Sequence, residues 1–136
     1  MSEPQQSSAV FIVDDEAVIR DAVRLVVENM GHSVECFSSA AEFLEFIKPY
    51  DVSGPACLIA DVQMPRVNGL ELLEQLSTLD KKLPVVMITG HGTKSLKQKA
   101  ESLGAAVFLE KPFRPTELQE VVATLLKQDT DEHDVA

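Results

Sequence analysis

The chain has 136 residues, enough for one compact domain with a real core and too few for two ordinary ones. Hydrophobic residues make up 45%, so the chain can fold, yet no apolar run approaches the roughly 20 residues needed to span a bilayer. The formal charge of −10, from 22 acidic and 12 basic side chains, argues against direct nucleic-acid binding, which rests largely on Lys and Arg neutralising phosphates. Met1 to Ala9 are polar and lack the basic and apolar regions of a signal peptide. A cytoplasmic location is therefore expected, with residues 1–8 as a flexible N-terminus.

Five short apolar runs then alternate with five helix-like segments. The first run, Val10–Val13, precedes a segment in which Val18, Ala22, Leu25, Val26 and Asn29 fall on one helical face, with Arg20, Asp21 and Arg24 interleaved. After the second run, Val34–Phe37, Ser39 and Glu42 have the spacing of a capping box and open a helix that buries Phe43 and Ile47. The third run is Cys57–Ala60. Asn68 and Glu71 repeat the capping-box spacing ahead of Leu72, Leu73, Leu76 and Leu79. The fourth run, Val85–Ile88, leads to Leu96, Ala100 and Leu103, with Gly104 closing the helix. After the fifth run, Ala106–Leu109, Pro115 suits the first turn of a helix striped by Leu118, Val121, Val122 and Leu125. Asp129, Asp131, Glu132 and Asp134 then read as a solvated tail. One domain over residues 9–127 is expected, with 128–136 as an acidic tail or linker.

Several runs are apolar throughout, which suits strands covered on both faces of a parallel sheet. Strand–helix alternation repeated five times implies a doubly wound α/β domain. Its ligand site should lie beyond the carboxyl ends of the strands, at the topological switch point. Cys36 and Cys57 lack metal-ligand spacing and read as reduced thiols filling strand positions. His32 and His133 have no partners suggested by sequence.

The strand ends carry the chemistry. The first ends in Asp14-Asp15-Glu16, the third in Asp61, the fourth in Thr89-Gly90, and the fifth runs into Lys111-Pro112. Three carboxylates gathered closely repel one another, and a hard divalent cation relieves that repulsion. Oxygen ligands favour Mg²⁺, which also neutralises an incoming phosphoryl group. One carboxylate can then attack phosphorus and form an acyl phosphate. The Thr89 hydroxyl and Lys111 ammonium would stabilise the charge spread over that group. Acids after a strand often only cap the next helix, but an acid pair, an acid, a hydroxyl and an amine at four strand ends form a more specific set.

Val13-Asp14-Asp15-Glu16, Ile59-Ala60-Asp61-Val62-Gln63-Met64-Pro65 with Gly69, Met87-Ile88-Thr89-Gly90 and Leu109-Glu110-Lys111-Pro112-Phe113 together resemble the bacterial response-regulator receiver domain of two-component systems. The likeness covers about residues 9–127 and is nearest the FixJ type. It implies a flavodoxin-like, CheY-like fold: a five-stranded parallel sheet of order 2-1-3-4-5 with five helices. It implies that Asp61 is the phospho-acceptor, supplied by a histidine kinase, a phosphotransfer protein or acetyl phosphate. It also implies that Asp15 and Asp61 ligate Mg²⁺, joined by the backbone carbonyl of Gln63, with Asp14 reaching the ion directly or through water. Lys111 would bind the acceptor carboxylate and then the phosphate, and the Lys111-Pro112 bond would be cis.

By the same resemblance, Thr89 moves inward to bond the phosphate, Gly90 leaves room beside it, and Phe108 follows as the aromatic switch. A strand Phe is usually core; the switch role rests on its place three residues before Lys111. Gln63 and His91 occupy the positions that tune acyl-phosphate lifetime, and an exposed loop histidine is the plain alternative for His91. Signals would leave through the fourth helix, fifth strand and fifth helix, toward a downstream protein or an output domain. Lys94, Lys97, Gln98, Lys99 and Glu101 surround the apolar stripe of the fourth helix, unlike a sticky dimerising face. A monomer or weak phosphorylation-dependent dimer is the expectation.

Rival classes fit less well. A haloacid-dehalogenase-type phosphatase needs a general-acid Asp two residues after its nucleophile, where this chain has Gln63. A flavodoxin-type FMN binder needs a Ser/Thr/Gly-rich loop after the first strand, where Asp14, Asp15 and Glu16 would repel the phosphate. A phosphorylation-independent interaction module usually loses a site residue, and this chain retains all five. The chain is thus expected to be a signalling receiver rather than an enzyme, though one that promotes its own phosphorylation and dephosphorylation.

Overall fold

The computed structural model describes residues 8–134 apart from Ser53, Asp80 and Lys82, and side chains as far as Leu126. The N-terminal segment expected to be flexible lies, except for Ser8, outside the described residues.

Strands β1 (Ala9–Val13), β2 (Ser33–Phe37), β3 (Ala56–Asp61), β4 (Val85–Thr89) and β5 (Val107–Glu110) alternate with helices. These are α1 (Ala17–Glu28), α2 (Ala40–Ile47), α3 (Gly69–Ser77), α4 (Lys94–Ser102) and α5 (Pro115–Asp134). All strand pairs are parallel, in the order β2-β1-β3-β4-β5. Direction of travel across the sheet reverses beside β1, which places the switch point between β1 and β3.

Period-2 alternation sorts the strand residues into two cores. Phe11 and Val13 of β1, Leu58 and Ala60 of β3, and Val85 and Met87 of β4 pack under α2, α3 and α4. Val10 and Ile12, Cys57 and Ile59, and Val86 and Ile88 pack on the opposite face under α1 and α5. Both faces are covered, so β3 and β4 are buried at every residue. That explains their unbroken apolar runs.

The helix ends follow the expected chemistry with one adjustment. Asn68 and Glu71 close a full capping box on α3. At α2, the Ser39 hydroxyl accepts the Glu42 N–H as expected, but the Glu42 carboxylate reaches back to Ser38 instead of Ser39. Gly104 ends α4 at φ +105°, a left-handed conformation open to glycine at little cost.

The expected face of α1 is corrected. Val18 and Leu25 are 79% and 61% exposed, and Ala22 and Asn29 also face solvent. The buried stripe is shifted by one position: Val23 and Val27 are buried, flanked by Ile19, Val26 and Met30. The two stripes share Val26. The shifted one carries a large apolar side chain at every position, whereas the expected one ends on Asn29, so it removes more apolar surface from water. α5 continues to Asp134, so residues 128–134 of the segment expected as an acidic tail have a helical backbone.

Candidate functional site

Strand register assembles the site. Val13 pairs with Ala60 across β1 and β3, so Asp14 and Asp61, each one residue further on, emerge side by side. Asp61 pairs with Ile88 and Thr89 with Glu110, which brings the ends of β4 and β5 to the same edge. Among the described residues, the buried polar side chains are Asp14, Asp61 and Thr89. All three belong to this edge. Burying polar groups costs free energy unless they are partnered, so their concentration marks the edge as functional rather than as a set of helix caps.

Carboxylate oxygens of Asp14, Asp15 and Asp61 lie within 4.8 Å of one another, with Asp15 exposed and the other two buried. Asp14 Oδ1 accepts the Glu16 N–H at 2.9 Å, and Asp61 Oδ1 accepts the Gln63 N–H at 3.1 Å. Lys111 Nζ donates to Asp61 Oδ2 at 3.2 Å and stands 3.9 Å from Glu16. Burial raises the Asp14 carboxyl from its ordinary 3.8 to about 6; the Glu16 N–H opposes the rise, repulsion from Asp61 adds to it, Lys111 opposes it, and Asp15 adds again. Crowded, partly desolvated carboxylates with oxygen donors alone suit a hard divalent cation.

Thr89 is fully buried. Its hydroxyl donates to Gln63 Oε1 at 2.9 Å and accepts the His91 N–H at 3.1 Å. Phe108, half-buried, lines a groove of about 300 Å³ with Gly92, Thr93, Lys94, Lys97 and Glu110. His91 is exposed, and its backbone N–H reaches the site through Thr89. The Lys111-Pro112 bond is cis.

Gly69, the first residue of α3, lets this helix start press on the end of β3. A Cβ there would sit 2.5 Å from the Asp61 carbonyl oxygen and 2.8 Å from Val62 Cα.

Two participants and one contact were not anticipated. Arg20 Nη1 donates to the Asp14 carbonyl at 2.8 Å, and its one-turn offset from Glu16 was the available signal. The Glu110 carboxylate accepts the Gly92 N–H at 3.1 Å, tying β5 to the loop after β4. The bond between the Gln63 side chain and Thr89 had no sequence signal at all. Elsewhere, burial pushes the Cys57 thiol up to about 12 and raises Cys36, which suits unreactive thiols. His32 gains a partner in the Ser8 hydroxyl.

An acidic trio and a lysine at the carboxyl edge of a five-stranded parallel α/β sheet define a receiver. The family model for the response regulator receiver domain matches residues 10–123, and the chain belongs to that family, whose function is phosphorylation-based switching. Among curated proteins, it is 39% identical over 122 residues to the response regulator protein TodT of Pseudomonas putida, covering 90% of this chain and 52% of TodT. It is 32% identical over 119 residues to the transcriptional regulatory protein FixJ of Bradyrhizobium diazoefficiens, covering 88% of this chain and 57% of FixJ. The chain thus spans about half the length of these curated relatives. Among solved structures, a CheY-like receiver from Methanospirillum hungatei superposes with a TM-score of 0.84 at 27% identity, over 93% of this chain and 99% of that one. No described helix is long and apolar enough to cross a membrane.

Proposed function

We propose that this chain accepts a phosphoryl group on Asp61 from a histidine kinase or a small phosphodonor, and that the added charge switches the surface formed by α4, β5 and α5. The observation that carries the reading is the convergence of buried Asp14, Asp61 and Thr89 with Lys111 bonded to the Asp61 carboxylate.

An Asp61 oxygen attacks phosphorus and forms a new O–P bond while the bond to the donor breaks, the donor keeping that electron pair. Lys111 holds the carboxylate before transfer and offers its charge to the phosphoryl oxygens afterwards. Asp14, Asp15, Asp61 and the Gln63 carbonyl would hold Mg²⁺, which supplies charge neutralisation for the phosphoryl group. Asp61 is preferred to Asp14 and Asp15 as acceptor because it is the one of the three that Lys111 bonds. The Thr89 hydroxyl turns to the phosphoryl oxygens, and Phe108 moves toward the space released beside it. Gln63, two residues after Asp61, and His91, two residues after Thr89, tune the lifetime of the acyl phosphate. The output is a partner protein or a further domain of a longer chain, reached through α4, β5 and α5. The net charge of −10 favours a protein target over nucleic acid for this domain.

Acetyl phosphate with Mg²⁺ should add the mass of one phosphoryl group to the wild type and none to Asp61→Asn. Undiminished labelling of the Asn variant would place the acceptor elsewhere.

A further inference from the structure

The Thr89 hydroxyl has a single proton, and that proton is committed to Gln63. Its oxygen also accepts the His91 N–H, using one of two lone pairs. A phosphoryl oxygen on Asp61 can therefore receive the Thr89 proton only if the bond to Gln63 breaks. The two ends of that bond differ in what they lose. Gln63 is exposed, so water can serve its amide oxygen after release. Thr89 is fully buried, and a buried donor left unmet is costly. The hydroxyl leaves Gln63 only when another acceptor is in place. The loop on the far side stays held meanwhile, because Glu110 grips the Gly92 N–H.

We propose that the Gln63 side chain is a latch: it holds Thr89 in the resting position and so sets how strongly a phosphoryl group must pull before the receiver switches. This rests on the reading of Asp61 as acceptor. It differs from a role for Gln63 in acyl-phosphate lifetime, since the latch acts through Thr89 and before any hydrolysis. Gln63 is thus a positioning residue for the switch.

A net hydrogen bond that must be given up lowers apparent affinity for the activating ligand by about two- to tenfold. The test measures beryllofluoride affinity in Mg²⁺ for the full chain as wild type, Gln63→Met, Thr89→Val and the double variant. Methionine keeps the length of the side chain and removes the acceptor oxygen. Gln63→Met should bind the phosphoryl mimic about two- to tenfold more tightly than wild type. In the Thr89→Val background the same change should have no effect, since there is no hydroxyl to hold. In ligand-free Gln63→Met, the Thr89 methyl resonance should lie partway toward its beryllofluoride-bound position, because removing the latch shifts a pre-existing equilibrium.

A gain that persists in the Thr89→Val background would mean that Gln63 acts on the phosphoryl pocket directly, and the latch would be overturned. Unchanged or weaker binding by Gln63→Met would overturn it as well. Failure of the wild type to bind beryllofluoride is a separate outcome: it removes the Asp61 reading itself, and the latch with it.

Discussion

Asp14→Asn tests the electrostatics of the site without any phosphoryl chemistry. The Asp14 carboxyl is buried and raised from 3.8 to about 6, so in the metal-free protein its charged form is disfavoured by folding. For an acid with a raised folded value, stability from the neutral form is fully present below about 3.8 and is lost as pH climbs through about 6. At ~1.4 kcal/mol per pH unit of separation, ionised Asp14 costs the fold about 3 kcal/mol once pH exceeds 7. Asparagine cannot ionise, and its amide oxygen can still accept the Glu16 N–H. In EDTA, Asp14→Asn should therefore be more stable than wild type by up to about 1 kcal/mol at pH 4.5 and up to about 3 kcal/mol at pH 7.5, solvent screening of the charge reducing both figures. The assay is urea unfolding at both pH values, where the larger figure moves the midpoint by roughly 1–3 M. Saturating Mg²⁺ should shrink the advantage, because a cation bound only by the folded state stabilises the wild type by mass action. An advantage of equal size at pH 4.5 and 7.5 would refute the argument, since it would owe nothing to ionisation.

Three other substitutions probe different parts of the construction. Asp15→Ala should weaken Mg²⁺ binding at least tenfold by titration, because it removes an oxygen donor from a small ligand set; wild-type affinity would reduce Asp15 to an exposed loop acid. Gly69→Ala should destabilise the fold by about 1–3 kcal/mol in urea, since the new methyl would meet the backbone of Asp61 and Val62, which has little freedom to retreat. Asn68→Ala should cost about 1 kcal/mol by the same measurement, because it removes the Oδ1 that accepts the Glu71 N–H, while the bond from the backbone N–H of residue 68 to the Glu71 carboxylate needs no side chain.

How much was legible in sequence depended on whether the cause was local. Strands β3 and β4 announced themselves because burial on both faces leaves no room for polar residues. The α3 cap was readable because Asn68 and Glu71 are three positions apart and answer each other. The convergence of Asp14, Asp15, Asp61, Thr89 and Lys111 was readable because parallel strands send all their carboxyl ends to one edge. Helix α1 was misread for a physical reason: it carries two overlapping apolar stripes, and only the sheet beneath decides which is covered. Arg20 under Asp14, Glu110 on Gly92 and Gln63 on Thr89 depend on where neighbouring strands and loops meet. The Gln63–Thr89 bond spans 26 positions and requires the β3–β4 register, which no local spacing reveals.

The placement of Asp61 gives the domain an uneven stiffness. Asp61 ends β3, a strand with partners on both sides and no exposed residue. Lys111, the cation that answers it, follows β5, a border strand paired on one side and only half-covered. A fixed abutment thus faces a compliant one. If Asp61 takes the charge proposed for it, the central strand could give only by disturbing both cores, so the proposed switch would be relieved toward the border. The inner strands would then be the frame against which a shift of the outer flank is read.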